Sequence, residues 1–227
     1  NVRLHALVLN AGVMDVPFAH TAQGLELQVG VNVIGHHLLA RLLSKTMERD
    51  CSRLVWLSSL AHRMVTWSRL THLPRPLSHA RPFEGMAEVP AHRYDPSEQY
   101  LLSKAGCALL ALSWDEQWAN RYGVDALRRP RSYACAPGYT VSTLQERVGV
   151  RSRRWLYRGL KYVALAVGFA QPWREGALSA VLCAAGDPAL VDHLWRGDNR
   201  EPREPREPED HQYSPAAATA AAAAATA

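Results

Sequence analysis

Tyr100 and Lys104 stand four residues apart in a stretch with helical periodicity, so their side chains share one helix face. A phenol and an ammonium at that spacing are suited to acid–base chemistry. A free tyrosine titrates near 10, and exchanging protons at neutral pH needs that value lowered by about 3 units, or roughly 4 kcal/mol. An ammonium beside the phenol in a partly dry cleft works in that direction, because it favours the phenolate. Tyr157 and Lys161 repeat the spacing, and order along the chain separates the two pairs. Tyr100 follows a helix bearing Asn32-Val33-Ile34-Gly35 and an apolar run ending in Ser58-Ser59, and it precedes Pro137-Gly138. Tyr157 lies in a basic amphipathic stretch that suits an exposed, interfacial role.

The elements that must position these groups are legible as hydrophobic patterning. Residues 4–9 are a short apolar run closed by Asn10-Ala11-Gly12, which predicts a buried strand and a turn. Apolar residues then recur at helical spacing over 25–47 (Leu25, Val29, Val33, Leu38, Leu42, Leu43), predicting one long helix. Residues 53–57 predict a second strand, 97–122 a second long helix, 131–136 a third strand stopped by Pro137-Gly138, and 173–185 a final helix. Between the second strand and second helix, Pro74, Pro76, Pro82, Pro90 and Pro96 forbid a continuous helix over 68–96 and predict a long loop. Alternating strands and helices mean an α/β domain with a parallel sheet, in which ligands bind at the carboxyl ends of the strands. Asn10, Ser58-Ser59 and the segment after Pro137 all fall there.

Composition narrows the classes. The chain has 227 residues, 48% hydrophobic and 21% charged, which excludes collagen-like and wholly disordered proteins and fits one domain with an appendage. The net charge of +5 comes from 23 Arg against 3 Lys. Scattered Arg among abundant Ala, Gly and Pro reads as GC-rich coding, so no nucleic-acid partner is expected. Cys51, Cys107, Cys135 and Cys183 lie too far apart for a CxxC metal pair and are expected to be free buried thiols. His36-His37 lacks an acidic or Cys partner at ligand spacing, so a core or surface pair is expected and no metal. Neither G-x-S-x-G nor H-E-x-x-H occurs, which leaves hydrolase chemistry unsupported. The apolar stretch 162–170 is shorter than the roughly 20 residues that span a bilayer, and no signal peptide is visible before it. Residues 1–197 are read as the domain, and 198–227, with three Arg-Glu-Pro repeats and an Ala run, as a disordered tail.

Taken singly, Asn32 reads as a solvated or capping residue, Ser58-Ser59 as a strand end and Pro137-Gly138 as a turn. Taken in order, the series Leu9-Asn10-Ala11-Gly12-Val13-Met14, Val31-Asn32-Val33-Ile34-Gly35-His36, Val55-Trp56-Leu57-Ser58-Ser59, Tyr100-Leu101-Leu102-Ser103-Lys104 and Pro137-Gly138 resembles a short-chain dehydrogenase/reductase. With Thr21-x-x-Gly24-x-Glu26 ahead of Asn32, it resembles the retinol dehydrogenase-like branch, including polyprenol dehydrogenases, over roughly 4–185. The resemblance implies a Rossmann-like doubly wound parallel sheet and NAD(P)-dependent oxidation of a hydrophobic, polyprenol- or retinol-like alcohol, or reduction of its carbonyl. It makes Tyr100 the acid/base, with Lys104 lowering its pKa and bonding the nicotinamide ribose. Ser59 would orient the substrate oxygen, and Asn32 would hold a water in a proton relay to Lys104. Asn10, Ala11 and Gly12 would lie beside the adenosine ribose, and Pro137, Gly138 and Ser142 at the nicotinamide, with Thr140 and Thr143 as neighbours of that last hydroxyl.

Departures from the family's pattern carry expectations of their own. Among 14 glycines no G-x-G occurs, so the chain reads as lacking the family's first strands and Gly-rich phosphate loop. The interval from Ser59 to Tyr100 is long, residues 125–131 are Arg-rich, and no last strand is recognisable in 192–199. Over 147–169, Arg147, Arg151, Arg153, Arg154, Arg158 and Lys161 interleave with Trp155, Tyr157, Tyr162 and Phe169, a pattern suited to a membrane surface or a solvated face. The resemblance implies work at the endoplasmic reticulum membrane or a lipid droplet, with a cytoplasmic location as the alternative and self-association open. The rival reading is an inactive fragment acting by interaction. Whichever holds, the chain alone is expected to bind NAD or NADP weakly or not at all. Titration with NADH and NADPH by nicotinamide fluorescence checks this, and saturable micromolar binding overturns it.

Overall fold

The computed structural model describes residues 3–47, 51–65, 91, 94–123, 129–140 and 170–196. The loop read over 68–96 falls outside them except for residues 91 and 94–96. The Tyr157–Lys161 pair, the stretch 147–169, Ser142 and the tail fall outside entirely.

Three strands, β1 (Ala6–Leu9), β2 (Arg53–Leu57) and β3 (Arg131–Cys135), form a parallel sheet in the order β1-β2-β3. Leu9 pairs with Trp56, and Leu57 with Cys135, so the carboxyl ends lie side by side. Every residue of the central strand β2 is buried, as a parallel strand covered on both faces requires. Its alternation sorts two layers. Leu54 and Trp56 join Leu9, Val29, Val33, Ala40, Cys107, Leu110 and Trp114 on one face, while Val55 and Leu57 join Cys135, Ala180, Cys183 and Ala184 on the other. The result is a helix–sheet–helix sandwich of the Rossmann-like α/β class. Burying side chains as large as Leu54 and Trp56 contributes about 1.5–3 kcal/mol each, and the Trp56 Nε1 donates to Ser132 Oγ at 3.1 Å.

The single helix expected over 25–47 is instead a composite. It runs α1 (Leu27–Val29), a π-helical segment (Gly30–Gly35), α2 (His36–Leu43) and a 3₁₀ turn (Ser44–Thr46). Glu26 starts it, fully buried, with its two carboxylate oxygens accepting from Gln28 N (2.9 Å) and Val29 N (2.8 Å). Gly30 permits a close approach: a Cβ there would come within 2.5 Å of the Thr21 methyl. Wider π turns recur at functional sites, and this one carries Asn32.

The helix α3 (Pro96–Tyr122) begins with an Asp95 cap, whose Oδ1 accepts from Glu98 N at 2.9 Å, and with Pro at its first position. That proline ends the predicted loop one residue before the predicted helix start. α4 (Trp173–Ala185) covers the opposite face. Where no last strand was recognisable there is a further helix, α5 (Pro188–Arg196), started by Asp187 accepting from Ala189 N and Leu190 N. Cys51 is exposed rather than buried; Cys107 and Cys135 are buried and Cys183 partly so. Among the described residues no single helix is long and apolar enough to cross a membrane; α4 and α5 pass together but meet at a 115° bend.

Arginine at 129 and 131, which had no reading in the sequence, has one here. Asp115 on α3 accepts from Arg129 Nη1 and Nη2 (both 2.9 Å), Arg131 Nε (2.8 Å) and the Ser132 amide (3.1 Å). Arg131 also pairs with Asp192 on α5. Burial alone would push the Asp115 carboxyl up, but the two guanidinium groups outweigh it and hold it below the ordinary value. A carboxylate with a depressed folded pKa stabilises above its unfolded pKa and loses that contribution as pH falls through the folded one, here below about 4. Asp115→Ala, which leaves the buried Arg129 guanidinium without its carboxylate and Arg131 with Asp192 alone, is expected to cost about 3–5 kcal/mol in urea unfolding at pH 7. An unchanged midpoint there would contradict the network's role.

Candidate active site

The three strand ends and the first turns of α3 converge on one cluster. Tyr100 is half-buried on α3, and the Ser59 hydroxyl beside its phenol favours the phenolate. Ser59 also accepts from Ala61 N at 3.2 Å, capping a short 3₁₀ turn (Leu60–Met64). Ser58 points elsewhere: it is buried, and its Oγ donates to the Lys104 carbonyl at 2.8 Å. The two serines therefore have separate tasks, one at the phenol and one fastening α3 to the sheet. The family resemblance had implied Ser59.

Lys104 is 6% exposed, and its Nζ donates to the Leu57 carbonyl, the last of β2, at 2.9 Å. It sits 5.8 Å from the Tyr100 ring centroid. Burial lowers the ammonium pKa, with the Cys107 and Cys135 thiols acting the other way. The lowering of Tyr100 expected from its spacing to Lys104 is not found. Burial pushes the phenol up, and the opposing effect comes from the Ser59 hydroxyl. The physical reason is that desolvation of the phenolate exceeds what these neighbours return.

Asn32 is fully buried and packs against α3, but its side chain is committed. Its Oδ1 accepts from Val13 N (2.9 Å), and its Nδ2 donates to the Val13 carbonyl and to Ser103 Oγ (2.9 Å each). Any water held by Asn32 would thus meet its backbone carbonyl, which already accepts from the Cys107 thiol at 3.2 Å. The Val13 clamp fixes the turn after β1, with Asn10 and Ala11 exposed and Gly12 over the cluster. A Cβ on Gly12 would stand 3.2 Å from Asn32 Oδ1 and 3.6 Å from Lys104 Nζ.

After β3, Gly138 takes a left-handed conformation (φ 71°), and the Pro137 carbonyl accepts from Thr140 Oγ1 at 2.7 Å and from Gln171 Nε2. A Cβ at Gly176 of α4 would overlap the Thr140 side chain, so that glycine lets the turn lie against the helix. The structure thus brings together Asn32, Ser59, Tyr100, Lys104 and Gly12, with Asn10, Ala11, Pro137 and Gly138 at the neighbouring strand ends.

Sequence reading missed the groups that hold this arrangement. Gln28 Nε2 donates to the Pro96 carbonyl (2.7 Å) and to the Tyr94 hydroxyl (3.1 Å), and Tyr94 donates to the Val16 carbonyl (2.8 Å) with Glu26 Oε1 at 3.2 Å. Tyr94 is pushed up to about 12, chiefly by burial. These contacts bridge more than 60 residues of sequence and carry no local signal. Only Glu26 had been noticed, as part of the lead into the Asn32 helix.

A parallel sheet with helices on both faces and a Ser–Tyr–Lys cluster at its carboxyl edge defines a Rossmann-like α/β protein. The chain belongs to the short-chain dehydrogenase/reductase family, on its retinol dehydrogenase-like branch. It is 33% identical over 184 residues to polyprenol dehydrogenase of Mus musculus, covering 80% of this chain and 48% of that protein. It is 27% identical over 188 residues to retinol dehydrogenase 12 of Homo sapiens, covering 82% and 49%. To retinol dehydrogenase 11 of Homo sapiens it is 52% identical over 62 residues, 27% of this chain and 20% of that protein. The chain spans about half the length, or less, of these curated relatives. A solved angucycline C-6 ketoreductase with bound NADP is similar at 20% identity and a TM-score of 0.47, over 81% of this chain and 57% of that one. No family model matches the chain.

The two serines make a paired prediction. Ser59→Ala removes a hydroxyl that favours the phenolate, so the Tyr100 titration, read as the 295 nm difference between wild type and Tyr100→Phe, should move further up. Ser58→Ala should leave that titration in place and instead lower stability by about 0.5–1.5 kcal/mol. The reverse pattern would exchange their roles.

Proposed function

We propose that the chain is an NAD(P)-dependent oxidoreductase that interconverts a hydrophobic, polyprenol- or retinol-like alcohol and its carbonyl compound. The observation that carries this reading is the Tyr100 phenol beside the Ser59 hydroxyl, with the buried ammonium of Lys104 5.8 Å from its ring centroid. The residues present suit a nicotinamide dinucleotide. Among the described residues Lys104 commits one of its three donors, to Leu57, and Gly12 lets the backbone come close where any larger residue would crowd Asn32 and Lys104. In this reading Lys104 and the strand-end residues Asn10, Ala11, Gly12, Pro137 and Gly138 hold the dinucleotide, with Ser142 as a further contact. The nicotinamide, when bound, supplies the hydride acceptor or donor.

The chain's own part is positioning and proton transfer. Ser59 and Tyr100 together hold the substrate oxygen by hydrogen bonds, and Tyr100 takes its proton in oxidation or returns one in reduction. Burial raises the phenol here, so a second cation is needed to bring it into the working range, and Lys104 beside a positively charged nicotinamide provides that field. Asn32 keeps the turn after β1 and the face of α3 in register through Val13 and Ser103. The alcohol class rests on the polyprenol and retinol dehydrogenases this chain is similar to. A lipid substrate puts the work at a membrane surface, and we assign the endoplasmic reticulum membrane or a lipid droplet.

The test is single-turnover hydride transfer with a polyprenol or retinol in detergent and saturating NAD⁺ or NADP⁺, in the chain joined to a Gly-rich phosphate-loop segment from one of these relatives, followed by nicotinamide absorbance. Tyr100→Phe should lose at least about 10²-fold, the scale of a removed general acid/base, with dinucleotide binding spared. Tyr157→Phe should stay near wild type. Turnover that survives the first substitution and collapses with the second would move the active site. A wild-type chain silent with every alcohol and both dinucleotides would favour the inactive-fragment alternative.

A further inference from the structure

Two thiols outside the cluster described above have no task in that reading. Cys135 ends β3, buried in the small apolar layer with Val55 and Leu57, and Cys183, in the last turns of α4, packs on that layer with Ala180 and Ala184. The side of α4 turned to the sheet is built of small residues, Ser179, Ala180, Cys183 and Ala184. A helix so faced comes close enough for two β-carbons to meet, which an S–S bond requires. Cys107 lies on the other face of the sheet, where its thiol donates to the Asn32 carbonyl, and Cys51 is exposed. Packing alone does not explain the pair. A buried cysteine used only as a small hydrophobe needs no charge beside it, yet Arg53 of β2, itself buried, donates its Nη1 to the Cys183 carbonyl at 3.2 Å. The thiols also act on each other. The Cys135 thiol, helped by the Arg53 guanidinium, outweighs burial and holds Cys183 below the ordinary thiol value. The Cys183 thiol and burial push Cys135 up, against the opposing Ser179 hydroxyl and Lys104 charge. One sulfur is thus biased toward the thiolate while its neighbour keeps its proton, the division of roles that thiol–disulfide chemistry uses.

We propose that Cys135 and Cys183 form a redox-active dithiol that a peroxide closes to a disulfide, with Cys183 as the attacking sulfur. The proposal goes beyond the oxidoreductase reading and does not depend on it. The Cys183 thiolate attacks one oxygen of the peroxide, so an S–O bond forms, the O–O bond breaks and hydroxide leaves, taking up the proton that Cys183 released to become water. Cys183 is then a sulfenic acid. The Cys135 sulfur displaces its hydroxyl: the S–S bond forms, the S–O bond breaks, and the Cys135 proton departs with the hydroxyl as a second water. Two thiols and one hydrogen peroxide thus become one disulfide and two waters. The sulfurs lose two electrons and the peroxide oxygens gain them. The new bond joins the end of β3, just ahead of Pro137, to α4, whose Gly176 already lies against Thr140. It therefore ties α4 to the strand end that carries the Pro137-Gly138 turn, and a dithiol reopens it by exchange.

The test uses the intact chain, reduced and then treated with hydrogen peroxide under native conditions. Its mass should fall by the two thiol hydrogens, proteolysis should yield a peptide linked through Cys135 and Cys183, and dithiothreitol should restore the starting mass. Cys135→Ser, which removes the partner sulfur, should stop the reaction at a sulfenic acid on Cys183 that dimedone traps. Cys183→Ser should leave Cys135 a thiol at the same peroxide dose, while Cys51→Ser and Cys107→Ser should leave the linkage intact. Should a serine variant fail to fold, the wild-type peptide map still decides. A wild-type map without the linkage between Cys135 and Cys183, or one in which it forms only after unfolding in urea, overturns the proposal. Dimedone on Cys135 in Cys183→Ser, with none on Cys183 in Cys135→Ser, overturns Cys183 as the attacking sulfur. The mass and the map need neither alcohol nor dinucleotide, so the failures separate: a chain silent in hydride transfer overturns the oxidoreductase reading alone, and an active chain with unlinked thiols overturns this inference alone.

Discussion

A buried ammonium tied to the end of a central strand is the constraint on which the candidate site depends. Lys104 Nζ reaches the Leu57 carbonyl, while Ser58, the next residue after the strand, reaches back to the Lys104 carbonyl. Two hydrogen bonds of opposite sense therefore join one residue of α3 to one strand end. A charged group this deep is expensive to desolvate unless it is paired or hydrogen-bonded, and moving it would leave both the ammonium and a strand-end carbonyl unsatisfied. The rotation of α3 about its own axis is fixed by that pairing. With the rotation set, Tyr100 comes to Ser59, Ser103 to Asn32, and Cys107 to the Asn32 carbonyl.

The second layer of control comes from the helical stretch that faces α3. Glu26 satisfies its first amides, the π segment places Asn32 inward, and Asn32 spends its side chain on the Val13 backbone. The turn after β1 is thus held by a side chain from the next element rather than by its own residues. Gly12 completes the arrangement because that turn passes close to Asn32, where a Cβ would stand a tight 3.2 Å from its Oδ1. Burial, which secures these groups, also sets their chemistry. It raises the Tyr100 phenol and lowers the Lys104 ammonium, so each is biased toward its neutral form until a further charge enters the cleft.

Much of this was legible in the sequence where one physical signal acted alone. The strand Arg53–Leu57 and the helix Trp173–Ala185 fall on the residues read from their patterning, and a strand buried on both sides leaves a short apolar run that reports it directly. The joint spacing of Asn32, Ser59, Tyr100 and Lys104 was also readable, and the structure gathers them at one strand edge. The π segment was not, since its apolar positions satisfy a 3.6-residue period well enough to pass for an unbroken helix. Nor was the tie between Asp115 and Arg129 and Arg131: charges that look unmotivated in sequence acquire their reason from a helix that folds over them. The helix α5 went unread because a strand was sought there. The direction of the Tyr100 shift was misjudged because spacing reports the neighbour's charge and says nothing of desolvation.

The helix α3 is fastened at two levels, by Lys104 at the carboxyl edge of the sheet and by Asp115 at the amino edge, where Arg131 and Ser132 begin β3. The eleven residue steps from Lys104 to Asp115 span about 16 Å of helix, against about 13 Å for the five-residue strand they lie across. The segment behaves as a gauge bar cut to the thickness of the sheet. Adding or removing one residue within it would turn one end by about 100° and shift it by about 1.5 Å, so one fastening or the other would have to release. Substitutions on the exposed side of this stretch leave both fastenings in place, but a change of its length does not, and insertions that loops absorb freely are confined by this measure to the chain outside it.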